Sequence, residues 1–136
     1  MDFKTLKMFE KNIESKLSAT ENNVHELALK LSVHEYSVVM IWSTEKKILD
    51  DLKQKEKFKY ATLYKNLKWG GDSAISTKGD AEALIFSDED YHKLSVEISK
   101  QQHVVDVIEK TLDTIKKTGF SIKSYIELKK LREGII

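Results

Sequence analysis

The residues with the clearest chemical potential form one cationic, aromatic run: Lys53, Lys55, Lys57, Phe58, Lys59, Tyr60, Tyr64, Lys65, Lys68 and Trp69, closed by Gly70 and Gly71. Six lysines against the single acid Glu56 give the run a formal charge of +5 in a chain whose total is +1. Ammonium groups spread along a segment track phosphates, and flat rings among them stack on unpaired bases. That is the chemistry of binding single-stranded nucleic acid without sequence preference. The same residue types also suit an ordinary helix with a solvated lysine face and a buried aromatic stripe. On the first reading Lys53, Lys55, Lys57, Lys59, Tyr60, Tyr64, Lys65, Lys68 and Trp69 are the DNA-contacting set.

Little else in the chain points to chemistry. His25, His34, His92 and His103 form no pair at the spacing of metal ligands on a helix. Gly70 and Gly71 are not followed by the lysine and hydroxyl of a phosphate-binding loop, so they read as a turn. Asp88, Glu89 and Asp90 are explained by the positive end of a helix dipole without a divalent ion. No serine sits in a nucleophile elbow. The expectation is a protein that is not an enzyme and holds neither metal nor cofactor.

Composition narrows the class further. The sequence has no cysteine, which excludes disulfides and thiolate metal sites and favours a reducing compartment, the cytoplasm. It has no proline and only five glycines, which suits long helices. No apolar run approaches the roughly 18 to 20 residues of a membrane span, so no membrane partner is expected. At 136 residues a single domain is expected, with a helical part over 1–69, a turn and hairpin over 70–86, and C-terminal helices over 87–134.

The near-neutral total hides a sorted distribution. Residues 72–90 hold six acids against Lys78, a net of −5, and residues 116–132 hold six bases against Glu127, a net of +5. Two basic stretches flanking an acidic one suit polyanion binding, contacts between unlike patches of two copies, or both.

The elements that must carry these residues follow from periodicity. Phe3, Leu6, Phe9, Ile13 and Leu17 recur at three and four residues, the spacing of a first helix ending near Ser18. Thr20, with Asn22 and Asn23 behind it, reads as the cap of a second helix. Nothing interrupts that helix before Gly70, and Leu27, Leu31, Val38, Trp42, Leu49, Leu52, Leu63 and Leu67 share one stripe. The β-branched cluster over 33–39 leaves a break there open. Residues 73–77 and 81–86 around Lys78-Gly79-Asp80 read as a small β-hairpin. Ser87 then reads as the cap of a long helix with the most regular seam in the chain: Tyr91, Leu94, Ile98, Gln101, Val105, Ile108, Leu112 and Ile115. Its spacing is that of a coiled coil, filled either by another copy or by this chain's own helices. Gly119 reads as the stop of that helix, with Phe120 folding back on Ile115. A last helix over 121–133 would then end at Gly134.

The segment LDTIKKTGFSIKSYIELKKLREG, residues 112–134, resembles the C-terminal region of the UvsY family of recombination mediators of tailed bacteriophages. There an LD-x-IK-x-x-GF-x-IK pattern also follows a long helix entered through a serine and acidic residues, matched here by Ser87, Asp88, Glu89 and Asp90. A looser similarity runs upstream through Tyr36 and Ser37 to Gly70-Gly71-Asp72. The resemblance implies a mainly α fold of long, coiled-coil-like helices assembling into a ring-like homo-oligomer, a hexamer or heptamer. It implies no catalysis but binding of single-stranded DNA and loading of a phage recombinase onto DNA covered by single-strand-binding protein, in the host cytoplasm. In the family a lysine and an arginine two residues apart contribute to DNA binding. The corresponding positions here, within 61–64, are not basic, which leaves local charge at Lys57, Lys59, Lys65 and Lys68 to supply the contacts. Assembly through the C-terminal helix is implied too, and assigns Leu94, Ile98, Gln101, Val105, Ile108, Leu112 and Ile115 to oligomerisation. The competing class is a structural or adaptor coiled-coil protein that never touches nucleic acid.

Overall fold

The computed structural model describes residues 1–69 and 78–134, with the side chains of Trp69 and Lys78 outside that description. Among the described residues there are four helices and no strand: α1 (Phe3–Leu17), α2 (Val24–Trp69), α3 (Lys78–Ser87) and α4 (Glu89–Arg132). The chain divides into two compact units, one built from Met1–Glu45 and Val104–Ile136, the other from Lys46–His103.

The first unit packs α1, the first half of α2 and the second half of α4. Asp2 starts α1 by accepting the Thr5 backbone N–H at 2.7 Å, a bond that holds its carboxyl below the usual range. In the turn after α1, Asn23 works in both directions. Its Oδ1 accepts the Thr20 N–H at 2.6 Å and its Nδ2 donates to the Ser18 carbonyl at 2.9 Å. Asn23, rather than Thr20, is therefore the last residue before α2. Leu6 and Ile13 of α1, Val38 of α2, and Val104, Ile108 and Ile115 of α4 form the main core cluster. A second cluster joins Val24 and Leu27 to Ile122, so α2 and α4 run antiparallel in this unit. The Trp42 indole N–H donates to Glu109 at 3.1 Å.

Burial also decides the question of a break in α2. Val38 is fully buried while Val33 and Val39 point outward, and the helix continues through all three. The propensity cost of each β-branched residue is a few tenths of a kcal/mol, less than burying Val38 returns.

The second unit packs the other half of α2 against α3 and the first half of α4. Leu49, Ala81, Ile85 and Tyr91 are its buried apolar residues. Pairs 56 with 95 and 60 with 91 show the α2 and α4 segments antiparallel here as well.

Three expectations are corrected. Residues 81–86 are helical, not the second strand of a hairpin; residues 73–77, its first strand, lie outside the described residues. Ala81 and Ile85, four apart, are both buried, whereas Ala83 between them is exposed, which is a helical and not a strand period. The cap of α4 is Asp88, whose Oδ2 accepts the Tyr91 N–H at 2.9 Å, while the Ser87 hydroxyl donates to the Leu84 carbonyl. Finally, Gly119 does not stop α4, which runs unbroken to Arg132. A Cβ at Gly119 would lie 2.7 Å from Leu31 Cδ2, so the glycine serves the close approach of α2. Phe120 is 74% exposed and does not fold back on Ile115, and the left-handed backbone falls at Gly134, with φ 70°.

Candidate nucleic-acid interface

The nine candidate contact residues lie on the second half of α2, where a period of about 3.6 residues sorts them into faces. Leu49, Leu52, Glu56, Tyr60, Leu63 and Leu67 step by three and four and form the inward face, all buried or half-buried. Lys53, Lys57, Tyr64 and Lys68 share one flank, and Gln54, Phe58, Ala61 and Lys65 form the outward ridge. Lys55 and Lys59 take the other flank.

Lys53, Lys55, Lys57, Lys65 and Lys68 are exposed. The first four make no ion pair with any described carboxylate. Lys59 differs: half-buried, it sits 3.9 Å from Asp90 in the first turns of α4. Lys59 therefore faces the acidic start of α4, while Lys53, Lys55, Lys57 and Lys65 have no described carboxylate against them. The Lys68 ammonium lies 5.9 Å from the Tyr64 ring centroid, a cation–π distance.

The two tyrosines have different environments. Tyr60 is enclosed in an aromatic cluster: it stacks on Tyr64 at 6.3 Å and 9°, and meets Tyr91 at 6.3 Å and Phe86 at 6.5 Å. Phe86 and Tyr91 complete the cluster at 5.9 Å. The Tyr60 hydroxyl donates to Glu82 at 3.4 Å, and burial, followed by that carboxylate, raises its pKa. Burial, followed by Glu56, raises that of Tyr91. Both phenols stay protonated near neutrality, and Tyr60 serves the packing of α2 on α3 and α4. Tyr64, at the margin of the cluster, keeps a side toward Lys68. The Trp69 side chain lies outside the described residues.

One ring the sequence analysis left out of the contact set has the opposite placement. Phe58 is 76% exposed on the outward ridge. The signal was available: it lies two residues from both Glu56 and Tyr60 and so cannot share their inward face.

The residues assigned to assembly divide by burial. Val105, Ile108 and Ile115 are fully buried and Gln101 is 7% exposed within the single chain, while Leu94, Ile98 and Leu112 are half-buried. In the first unit, Ile108 and Ile115 pack on α1 and α2, with Leu112 against the same cluster. Large exposed apolar side chains lie elsewhere. Leu29, Val33, Tyr36 and Met40 step by four, three and four along α2 and are each at least half exposed, on the side opposite Leu27, Leu31 and Val38.

Among the described residues no cluster of histidine and carboxylate side chains could hold a metal ion, and no helix is long and apolar enough to cross a membrane.

A family model described as "Recombination, repair and ssDNA binding protein UvsY" matches residues 10–135. Crystal structures of the bacteriophage T4 recombination mediator protein UvsY share the fold. In one lattice the TM-score is 0.79 at 17% identity, covering 98% of each chain. In two others it is 0.76 at 15% identity, covering 93% of this chain and 98% of that one, and 0.74 at 16%, covering 90% and 97%. No match is found among curated proteins.

Proposed function

This chain belongs to the UvsY family, and on that premise we propose that it is a recombination mediator, one that binds single-stranded DNA and promotes loading of a phage recombinase onto DNA covered by single-strand-binding protein. The observation that carries the reading is the outward set of lysines on α2. Lys53, Lys55, Lys57 and Lys65 are exposed with no described carboxylate pairing them, although the chain as a whole has 22 acids against 23 bases. Lysines that only solvated a helix would be expected to alternate with acids, as Glu26 and Lys30 do four apart on the first half of α2.

In this reading the chain self-associates, and each copy presents one basic segment to the strand. Modest affinity per site multiplies into firm binding of a long strand, while each contact is readily released, as displacement of one protein by another requires. The apolar stripe Leu29, Val33, Tyr36 and Met40 supports self-association, because a helix that is apolar on two opposite faces calls for a second partner. The adaptor alternative rested on the α4 seam. That seam suits both readings equally, and what the adaptor leaves unexplained is the clustering of lysines with aromatic rings on α2.

Fluorescence anisotropy against salt tests the proposal. Alanine at Lys53, Lys57, Lys65 and Lys68 together should flatten the dependence of log affinity on log salt by about 0.7 for each phosphate that is no longer neutralised. A slope equal to that of the parent would remove this surface from the interface.

A further inference from the structure

Lysines on a helix hold phosphates of a duplex as well as those of a single strand, so the cationic ridge alone gives no preference for unpaired DNA. A preference needs a group that reads something a duplex hides, and the face of a base is such a feature. We infer that Phe58 is this group: its ring stacks on an unpaired base held over the outward ridge of α2, and it sets the preference for single strands. The inference rests on the single-strand-binding reading above and adds to it a residue and the moiety that residue recognises.

Four observations carry it. Phe58 is the most exposed aromatic residue described, at 76%. Its neighbours one turn away on the surface are Gln54, Lys55, Ala61 and Thr62, with Lys65 two turns on, so no large apolar side chain covers it and cations stand on either side. Lys55 and Lys65 are separated by roughly 15 Å along the helix axis, which brackets the ring within a stretch of backbone more than one nucleotide long. Side chains on a helix lean toward its N-terminus, over Gln54 and Lys55, and the small Ala61 leaves the ring's other side open.

Phe86, Phe120 and Tyr36 are exposed as well, but in different settings. Phe86 is 57% exposed but is held by Tyr60 and Tyr91, and Glu82, Asp88, Glu89 and Asp90 stand near it in sequence on α3 and at the start of α4, where a phosphate would be repelled. Phe120, 74% exposed, has Lys116, Lys117 and Lys123 one turn away, but Lys117 is paired with Asp113 at 2.9 Å and the ring belongs to α4 of the first unit, whereas the α2 lysines that carry the proposed function belong to the other. Tyr36 belongs to the apolar stripe of α2. An isolated ring in a cationic surround fits a base; rings within apolar stripes fit protein.

The test compares the full chain and Phe58→Ala on three labelled probes of equal length: oligothymidylate, a strand of abasic sites, and a duplex. Stacking by one ring corresponds to about a fivefold or larger change in affinity. Phe58→Ala should lose at least that on oligothymidylate, keep the parent's affinity for the abasic strand and the duplex, and keep the parent's salt slope. Phe58→Trp should restore the loss. Equal binding of parent and Phe58→Ala to oligothymidylate, an equal loss on all three probes, or a parent with no preference for oligothymidylate over the abasic strand would each overturn the inference while leaving the lysine interface standing. A change in subunit number by light scattering would assign Phe58 to assembly and overturn it too. Failure of the parent to bind any probe would instead bring down the proposed function, and this inference with it.

Discussion

At Gly119, in the middle of α4, a hydrogen stands in place of a methyl group opposite Leu31 of α2. The two forces at this position oppose each other. Glycine in a helix interior costs about 1 kcal/mol relative to alanine, whereas a Cβ here would come 2.7 Å from Leu31 Cδ2. The clashing atom is the tip of a flexible side chain. Beside it lies an open groove lined by Ala28, Ile122, Lys123 and Ile126, into which the Leu31 methyl can swing. Gly119→Ala should therefore raise the free energy of unfolding by up to about 1 kcal/mol. Gly119→Leu, which no small rotation relieves, should lower it by about 1 to 3 kcal/mol. Urea denaturation followed by circular dichroism measures both, and a clear loss of stability with alanine would show that Leu31 is fixed in place. The residue type alone could not reveal this, because a glycine followed by an apolar residue has the same appearance at a helix stop and at a close crossing. Phe58 and Tyr60 were open to the opposite treatment. Counting threes and fours from Leu49 separates the outward ring from the inward one, so the sequence contained the distinction.

At the scale of elements, helix α3 is where local signals were in conflict. Lys78-Gly79-Asp80 has the look of a turn and Ile85-Phe86 that of a strand, yet Ala81-Glu82-Ala83-Leu84 is a run of strong helix formers entered through an acid, Asp80. The helix prevails because it puts Ala81 and Ile85 together on one buried face, and a strand would have added Ala83 to that face. Two substitutions separate the cases. Ile85→Ala should cost about 2 to 4 kcal/mol, as for a fully enclosed side chain. Ala83→Lys, on the exposed side, should stay within about 0.5 kcal/mol of the parent by the same denaturation measurement. A heavy penalty for Ala83→Lys would contradict the helical register. The long elements were far more legible. α1, α2 and α4 carry apolar residues at threes and fours over many turns, and their starts are marked by Asp2, Asn23 and Asp88, the last two within three residues of the caps expected at Thr20 and Ser87. What periodicity could not disclose was whose side chains fill a seam. The spacing from Tyr91 to Ile115 is equally compatible with a neighbouring copy and with the chain's own α1 and α2, and in the first unit Ile108 and Ile115 are met by the latter.

For the whole molecule, this internal filling bears directly on assembly. If the chain builds a homo-oligomer, its subunits need apolar surface that the single chain leaves uncovered. The first unit offers Leu29, Val33, Tyr36 and Met40 in a line on the face of α2 turned away from its core. The basic segment 53–69 belongs to the other unit, so self-association through the stripe and DNA binding through the lysines draw on different parts of the chain and can be separated by substitution. Val33→Lys with Tyr36→Lys places two charges in the stripe at positions 64% and 67% exposed, where the effect on the stability of the single chain should remain within about 1 kcal/mol. Light scattering should report a mass moved toward that of one chain while circular dichroism keeps the parent's helicity. Affinity for a short oligonucleotide, which one subunit can engage, should be retained. Affinity for a long strand should fall steeply, because the multivalent gain disappears with the assembly. An assembly of unchanged mass would remove the stripe from the subunit contact. Joint loss of short-strand and long-strand binding would show that the lysines need a neighbouring copy to form a site at all.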